Sequence, residues 1–355
     1  MATLPVVGHV NLARGFRGGE RQTELLIQEL SALGLKQQLI CREGSPLAVH
    51  LQGTPNLTIH PLVKKLDLRL NGHRFLKGEC DILQAHEARA CQWVYLHHLR
   101  YGTPYVTTRR VPEAIRDNLL NRAIYSHAAA LVAISGSIAA YLQDTFKREV
   151  VTIPSACAHF EPQPEVAAAL REEFKDDFVI GHIGALVDRH KGQSVILRAA
   201  AQLQEEIPNL KLLFLGKGED ENLFKEQARS LAIEDRLILR GFVSNVVDYL
   251  AAFDVFAFPS NFEGLGSVLL DVMEQGVPIV ATNVDGIPDI VKDGESGVLI
   301  ERQDAKALAQ AILRIRKDQA FREKLIAGGY QVAREHSPEN MARAYLSLYQ
   351  GLLNV

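Results

Sequence analysis

The residues best able to do chemistry sit in one short run, Pro259-Ser260-Asn261-Phe262-Glu263-Gly264-Leu265-Gly266-Ser267. Glu263 is an acid at a turn. The small Gly264 and Gly266 leave backbone amides exposed where the next helix begins, and such amides make an anion site. Asp271, eight residues after Glu263, lies about one turn into that helix and can face the same side. One carboxylate could touch a reacting carbon while the other holds ligand hydroxyls. An acidic first turn also serves ordinary capping, but capping does not require the glycine pair.

A second run, Gly184-Ala185-Leu186-Val187-Asp188-Arg189-His190-Lys191-Gly192, follows an apolar stretch and leads into another helix. It sets Arg189 and Lys191 beside a helix N-terminus, where the helix dipole disfavours cations. A bound diphosphate would remove that conflict, because it needs positive charge and free amides together. A solvated basic pair is the plain alternative. Near the start, Gly15-Phe16-Arg17-Gly18-Gly19-Glu20 would place the amides of Gly18 and Gly19 at a helix opening; glycine-rich first turns are common, so this signal is weak alone. Gly216-Lys217-Gly218-Glu219 reads as a tight loop on a pocket rim, and Asp285-Gly286-Ile287-Pro288-Asp289 as another strand-end loop that could close on a bound ligand. His86 and the pair Arg109-Arg110 fall at further strand ends, where a structural histidine and a surface pair are the ordinary readings.

These runs acquire a common location once the elements that carry them are drawn. Leu4–Val10, Gln37–Cys41, Asp81–Gln84, Tyr105–Thr108, Ala130–Ile134 and Val150–Ile153 read as strands, and Gly19–Leu33 as a helix with Leu25, Leu26, Ile27, Leu30 and Leu33 on one side. After the proline-bearing linker Ala156–Pro164 come Phe178–Ile183, Leu210–Leu215, Leu237–Leu239, Val255–Phe258, Pro278–Ala281 and Gly297–Ile300, with helices such as Gln193–Gln204 and Ser267–Gln275 between them. Alternation of this kind predicts an α/β protein with two doubly wound, Rossmann-like parallel sheets. The expected domains are 1–160 and 165–335, with a last helix, Pro338–Leu353, in a tail 336–355 that returns to the N-terminal domain. Open parallel sheets bind ligands at the carboxyl ends of their strands, which is where the unusual residues fall.

Composition is that of a globular protein, with 47% hydrophobic and 23% charged residues over 355 positions. The net charge of −3 hides an asymmetry: residues 1–160 hold 18 Lys+Arg against 12 Asp+Glu, leaving 21 against 30 for the remainder of the chain's 39 and 42. A basic first half suggests an anionic partner there, and no aromatic-interleaved basic motif points to nucleic acid. Cys41, Cys80, Cys91 and Cys157 lack metal-ligand spacing and read as reduced, buried thiols. No signal peptide or run of membrane-spanning length is evident, so a cytoplasmic location is expected.

In these motifs the chain resembles the family-4 retaining glycosyltransferases, whose GT-B fold sets two Rossmann-like domains across a cleft. The matching pieces are Gly18-Gly19-x-Glu20, the basic loop ending in Lys191-Gly192, Pro259-Ser260-x-x-Glu263-Gly264-x-Gly266, and the Gly276-Val277-Pro278 that follows. The resemblance implies a nucleotide-diphosphate sugar as donor, with uridine favoured, and as a substrate rather than a cofactor. It implies that Glu263 contacts the donor sugar, that Gly264, Leu265, Gly266 and Ser267 hold the diphosphate, and that Lys191 neutralises it. Asp271 stands where members have a ribose-binding Glu. Main chain near Phe242 and Val243 would meet the base, and Gly18 and Gly19 complete the donor site. Bacterial lipopolysaccharide or surface-polysaccharide synthesis is the implied setting.

Two departures from the pattern sharpen the expectation. Many members have Arg where this chain has Ala185, and Arg189 is the candidate substitute. Many have His near the acceptor where this chain has Arg109. Arginine cannot act as a base at neutral pH but clamps phosphate or carboxylate well. An anionic glycan or lipid-linked acceptor held by His86, Arg109 and Arg110 is therefore predicted. No Asp-x-Asp triplet occurs, so no metal is expected. The stretch His60–Lys77, with Lys64, Lys65, Arg69, Arg74 and Lys77 among apolar residues, could rest on an anionic membrane surface or form an acceptor-side loop. The competing functions are a GT-B nucleotide-sugar epimerase and a catalytically degenerate nucleotide-sugar-binding scaffold.

Overall fold

The computed structural model describes residues 4–63 and 67–354. The chain divides into two compact units, one formed by Met1–Ala158 with His336–Val355 and the other by His159–Glu335. Each is built on one sheet, and every strand pair in both is parallel.

In the first unit the strands are β1 (Val7–Asn11), β2 (Gln37–Arg42), β3 (Leu57–Leu62), β4 (Ile82–Ala85), β5 (Tyr105–Arg109), β6 (Ala130–Ala133) and β7 (Val150–Thr152). They lie in the order β3-β2-β1-β4-β5-β6-β7. β1, β4 and β6 are buried along their whole length, as expected of central strands covered by helices on both faces. The helix Gly18–Ala32 packs Leu25, Leu26 and Leu30 into a core shared with Met341, Ala342, Tyr345 and Tyr349 of the last helix, Pro338–Leu353. Those four positions recur at helical spacing and make one apolar stripe. Pro338 occupies the first turn, where its missing amide hydrogen costs nothing.

The second unit carries β8 (Phe178–Ile183), β9 (Leu210–Leu215), β10 (Leu237–Gly241), β11 (Val255–Phe258), β12 (Ile279–Thr282) and β13 (Val298–Ile300), ordered β10-β9-β8-β11-β12-β13. Its core joins the helices Gln193–Leu203 and Ala305–Lys317 to the inward residues of the sheet, among them Ile180, Leu212, Phe214 and Val255. In each unit the chain starts mid-sheet, runs outward one way, then returns to build the other half. The crossover falls between β1 and β4, and between β8 and β11. Loops leaving those adjacent strands diverge and open a crevice, the usual ligand position in such sheets.

The structure amends several local readings. β1 begins at Val7, not Leu4; Pro5 has no amide hydrogen for the ladder. β3 was not expected. It includes Pro61, which only an edge strand accommodates, and its end lies within the stretch read as a surface segment. Pro164, placed in the linker, opens the helix Pro164–Glu173. All four cysteines are buried. No helix among the described residues is long and apolar enough to cross a membrane.

Candidate active site

Two loops meet at the crossover of the second sheet. The loop after β8 makes one helical turn, Asp188–Lys191, then breaks at Gly192 in the left-handed region (φ 66°) before the helix Gln193–Leu203. The loop after β11 runs to the helix Val268–Glu274. Gly192 sits so close to the second loop that a Cβ would strike the Pro259 carbonyl oxygen. Both its dihedral and its neighbour therefore require glycine. The Asn261 amide donates to the His190 carbonyl (2.8 Å), and the Asn261 side chain donates to the carbonyls of Asp188 and Arg189. The two loops are stitched into one wall.

That stitching brings Lys191 and Glu263, 72 positions apart, into contact: Lys191 Nζ donates to Glu263 Oε2 at 2.5 Å. Both side chains retain about a fifth of their exposure (22% and 18%), so the pair faces solvent from a sheltered seat. The ammonium also lies 5.2 Å from the centre of the Phe258 ring, a cation–π arrangement. Asp285, after β12, accepts from the Glu263 amide through Oδ2 (2.9 Å) and itself adopts a positive φ of 47°. Glu263 Oε1 receives the Gly264 amide (3.2 Å). The amides of Leu265 and Gly266 find no acceptor among the described residues. Beneath the pair, His182 donates through Nδ1 to the Ala257 carbonyl, and its Nε2 lies 3.3 Å from the Gln193 amide nitrogen. Burial pushes this imidazole down to about 4, so it is neutral.

Arg189 does not join this cluster. Its side chain is exposed and stands 3.5 Å from Glu219. The expected clash of two cations with a helix N-terminus does not arise in that form, because Gly192 separates them from the next helix and they close a turn of their own. Ser267 is the N-cap residue of Val268–Glu274, and Asp271 lies in that helix one turn from its start. Phe242 and Val243 follow β10 at the edge of the sheet, and Phe242 is 74% exposed. Gly18 and Gly19 begin the first unit's helix Gly18–Ala32, where the opening amides have no preceding turn to pair with.

At the crossover of the first sheet, a chain of buried polar groups fixes one imidazole. The Gln37 side-chain NH2 donates to the Ile27 carbonyl, which turns its Oε1 toward His9 Nε2 at 3.0 Å. His9, held down to about 4 by burial, is neutral. It therefore donates through Nε2 and accepts at Nδ1 from His86 Nε2 (3.0 Å). His86 is held well below its usual range by burial, then by His9 and Arg110. Its Nδ1 is left as a bare, buried acceptor with no partner among the described residues.

The arginine pair splits. Arg109 turns toward Tyr125 and donates to the Glu113 carbonyl, so it braces the loop after β5. Arg110 points to the other face, against Gly19 (Cδ 3.7 Å from a Cβ built there) and near Tyr345, Glu20 and Tyr349. Its Nε and Nη2 are buried and unpartnered among the described residues. The structure thus brings Gly19, His86 and Arg110 together and separates Arg109 from them.

Of the stretch His60–Lys77, residues Lys64, Lys65 and Leu66 lie outside the described residues. Leu62, Leu68 and Leu76 are buried and serve the core, while Val63, Leu70 and Phe75 are exposed. Sequence reading missed Phe258, which resembled core, and His182. It also missed an arginine group, Arg14, Arg42 and Arg89, which shares a pocket.

Both units have counterparts among known proteins. Residues 16–157 match the model of Glycosyltransferase Family 4, and residues 168–332 that of Glycosyl transferases group 1. The lipopolysaccharide core biosynthesis glycosyltransferases LpsE and LpsD of Rhizobium meliloti are each 27% identical to the chain. LpsE aligns over 93% of this chain and 95% of its own length, LpsD over 94% of each. Among solved structures, Anabaena HepE in complex with UDP-glucose superposes with a TM-score of 0.83 at 18% identity, covering 98% of this chain and all of that one. The lipopolysaccharide outer core galactosyltransferase WaaB superposes with a TM-score of 0.73 at 17% identity, over 96% and 97%. Each unit thus matches a glycosyltransferase family model, and the chain has the GT-B fold of these solved glycosyltransferases along nearly its whole length.

Proposed function

We propose that the protein transfers a sugar, with retention and without a metal, from a UDP-sugar to an anionic glycan or glycolipid acceptor in bacterial lipopolysaccharide or surface-polysaccharide synthesis. The Lys191–Glu263 contact at the crossover of the second sheet carries this reading. A cation and a carboxylate held together, with open amides from Leu265 and Gly266 beside them, suit a substrate that is negative at its diphosphate and hydroxylated at its sugar.

When the bond from the anomeric carbon to the diphosphate breaks, the electron pair leaves with the phosphate and positive charge grows on the ring. Lys191 and the amides of Gly264, Leu265, Gly266 and Ser267 oppose the first charge, and Glu263 the second. The acceptor oxygen bonds to that carbon from the face the diphosphate leaves, and its proton passes to a phosphate oxygen. Asp271 takes the ribose, and main chain at Phe242 and Val243 the base. Arg110 holds the acceptor's anion, and the bare Nδ1 of His86 receives an acceptor hydroxyl. Arg189, exposed beside Glu219, is left to the rim. Peripheral contact with anionic lipid through the exposed Leu70 and Phe75 belongs to the same reading.

A thermal-shift series with UDP, GDP and ADP, each with and without EDTA, tests the donor half. A ligand at about 100 times its Kd adds ~2.7 kcal/mol of stability, or several degrees. The expected result is a UDP shift that ignores EDTA and disappears in Lys191→Ala. No shift with any nucleotide would favour the scaffold alternative. UDP-sugar converted to an isomer, with no UDP released, would favour the epimerase.

A further inference from the structure

The first unit holds a second basic site that none of these roles uses. Arg42 ends β2, Arg14 follows β1, and Arg89 lies in the first turn of the helix Ala88–Tyr101 that follows β4. Three neighbouring strands thus deliver three guanidinium groups to one cavity of about 460 Å³, also lined by Asp67, Leu68, Arg69 and Gln92. Two carboxylates lie nearby and offset part of this charge. Glu87 accepts the amides of Leu12, Arg89 and Ala90. Asp67 is bound by the Arg69 guanidinium. Burial, and then the charges of Arg89 and Arg14, hold the Arg42 guanidinium below its usual range. Four guanidinium groups around this cavity, Arg14, Arg42, Arg69 and Arg89, face only two carboxylates, Asp67 and Glu87, and that surplus of positive charge suits an oxyanion.

This cavity is not isolated. Asp67, Arg69 and Gln92 also line an adjoining groove of about 220 Å³, whose remaining walls are Leu70, Leu96 and Leu120. Leu70 is 68% exposed and Leu120 43%. Leu96 is half-buried between them, so an apolar edge borders the basic cavity. A basic cavity that opens into an apolar groove is complementary to one kind of molecule, an acidic head group joined to a hydrocarbon chain.

We infer that cavity and groove together bind an anionic amphiphile, with its phosphate or carboxylate among Arg14, Arg42 and Arg89 and its apolar chain along Leu70, Leu96 and Leu120. The inference rests on the reading of an anionic acceptor and narrows it: the acceptor is lipid-linked, and its acidic group near the lipid is held here, apart from the group at Arg110.

The test uses the full chain and two soluble probes, inorganic phosphate and monomeric dihexanoyl phosphatidic acid, read by thermal shift. The lipid probe should raise Tm more than equimolar phosphate. Arg14→Gln/Arg89→Gln should lower affinity for both at least tenfold; Arg89 lies in a helix first turn, where losing a cation does not weaken the helix. Leu70→Ser/Leu120→Ser should remove only the extra shift of the lipid probe. All variants should keep the UDP shift; a wild type that gives no UDP shift would count against the donor reading alone, whereas a shift lost only in the arginine variant would assign these arginines to the donor and overturn this inference. Equal shifts from both probes, or an unchanged lipid shift in the leucine variant, would overturn the inference. So would flotation of the wild type with phosphatidic acid–phosphatidylcholine vesicles when the monomeric lipid does not bind, since that describes a surface resting on bulk membrane.

Discussion

Replacing Glu263 with Gln should change two measurements in opposite directions. In the free protein the Lys191 ammonium is engaged by Glu263 at 2.5 Å, so an arriving diphosphate must compete with a carboxylate already in place. Two unit charges about 4 Å apart attract by ~4 kcal/mol at an effective dielectric near 20. With each side chain about a fifth exposed, desolvation and screening leave ~1 kcal/mol of net pairing. Glu263→Gln releases that hold and lifts the repulsion of the diphosphate, so UDP should bind about fivefold tighter, at 1.4 kcal/mol per factor of ten. Turnover should move the other way. The carboxylate that opposes ring charge in the transition state is gone, and loss of one such electrostatic group costs roughly 10²–10³ in kcat. Titration calorimetry with UDP and initial rates with the UDP-sugar read the two effects. The melting temperature should shift by no more than about 2–4 °C, the equivalent of ~1 kcal/mol in a unit of this size. Weaker UDP binding in the variant, or a kcat within tenfold of the wild type, would refute the reasoning.

The remaining predictions concern supports and charge. Arg110→Met removes a buried guanidinium with two unpartnered nitrogens; the ligand-free protein should melt higher, by the equivalent of ~1 kcal/mol or more, while the acceptor KM rises at least tenfold and the donor KM stays put. Equal changes in both KM values would mean that Arg110 serves the donor. Asp285→Ala takes the acceptor from the Glu263 amide and leaves alanine at φ 47°, so kcat should fall about tenfold, consistent with ~1–3 kcal/mol for a lost partner. Asp285→Asn keeps an oxygen and tolerates that dihedral, so it should restore most of the rate; a null as severe as alanine contradicts a positioning role. Acid should destabilise the fold through His9, His97 and His182, each lowered to about 4 by burial. The unfolded chain takes up protons near pH 6.5 that the native state refuses until about 4. Stability is therefore complete above 6.5 and drains as pH falls through that window, at up to ~1.4 kcal/mol per pH unit per histidine. Melting curves between pH 7.5 and 4.5 check this, and a flat profile excludes it.

How much of the site could be read from the chain follows from how far apart its parts lie. Glu263 with its glycines, and Lys191 with Gly192, announce themselves because a strand end, a turn and a helix start are local events with local residue requirements. Their contact is not local. It depends on β8 lying beside β11, and on Gly192 having no side chain to hold off the Pro259 carbonyl. Asp285 shows the same limit: its hold on the Glu263 amide spans 22 positions and a strand crossing. Arg14, Arg42 and Arg89 are spread over 75 positions with ordinary neighbours, and only the order β2-β1-β4 turns them into one cavity.

Arg109 and Arg110 show the opposite error, in which adjacency in sequence suggests a joint role that the backbone forbids. Successive residues on a strand point to opposite faces. Thr108 therefore meets Tyr345 of the last helix on one face, and Arg109 meets Tyr125 on the other. Arg110, just past the strand end, returns to the first face, beside Gly19. Two neighbouring arginines at a strand end cannot both clamp one phosphate unless the chain turns between them. The one on the crossover side is available for chemistry, and its neighbour becomes a brace. The same parity argument applies wherever a basic pair ends a strand, and it can be made before any coordinates exist, once the strand's register is known from a single buried residue.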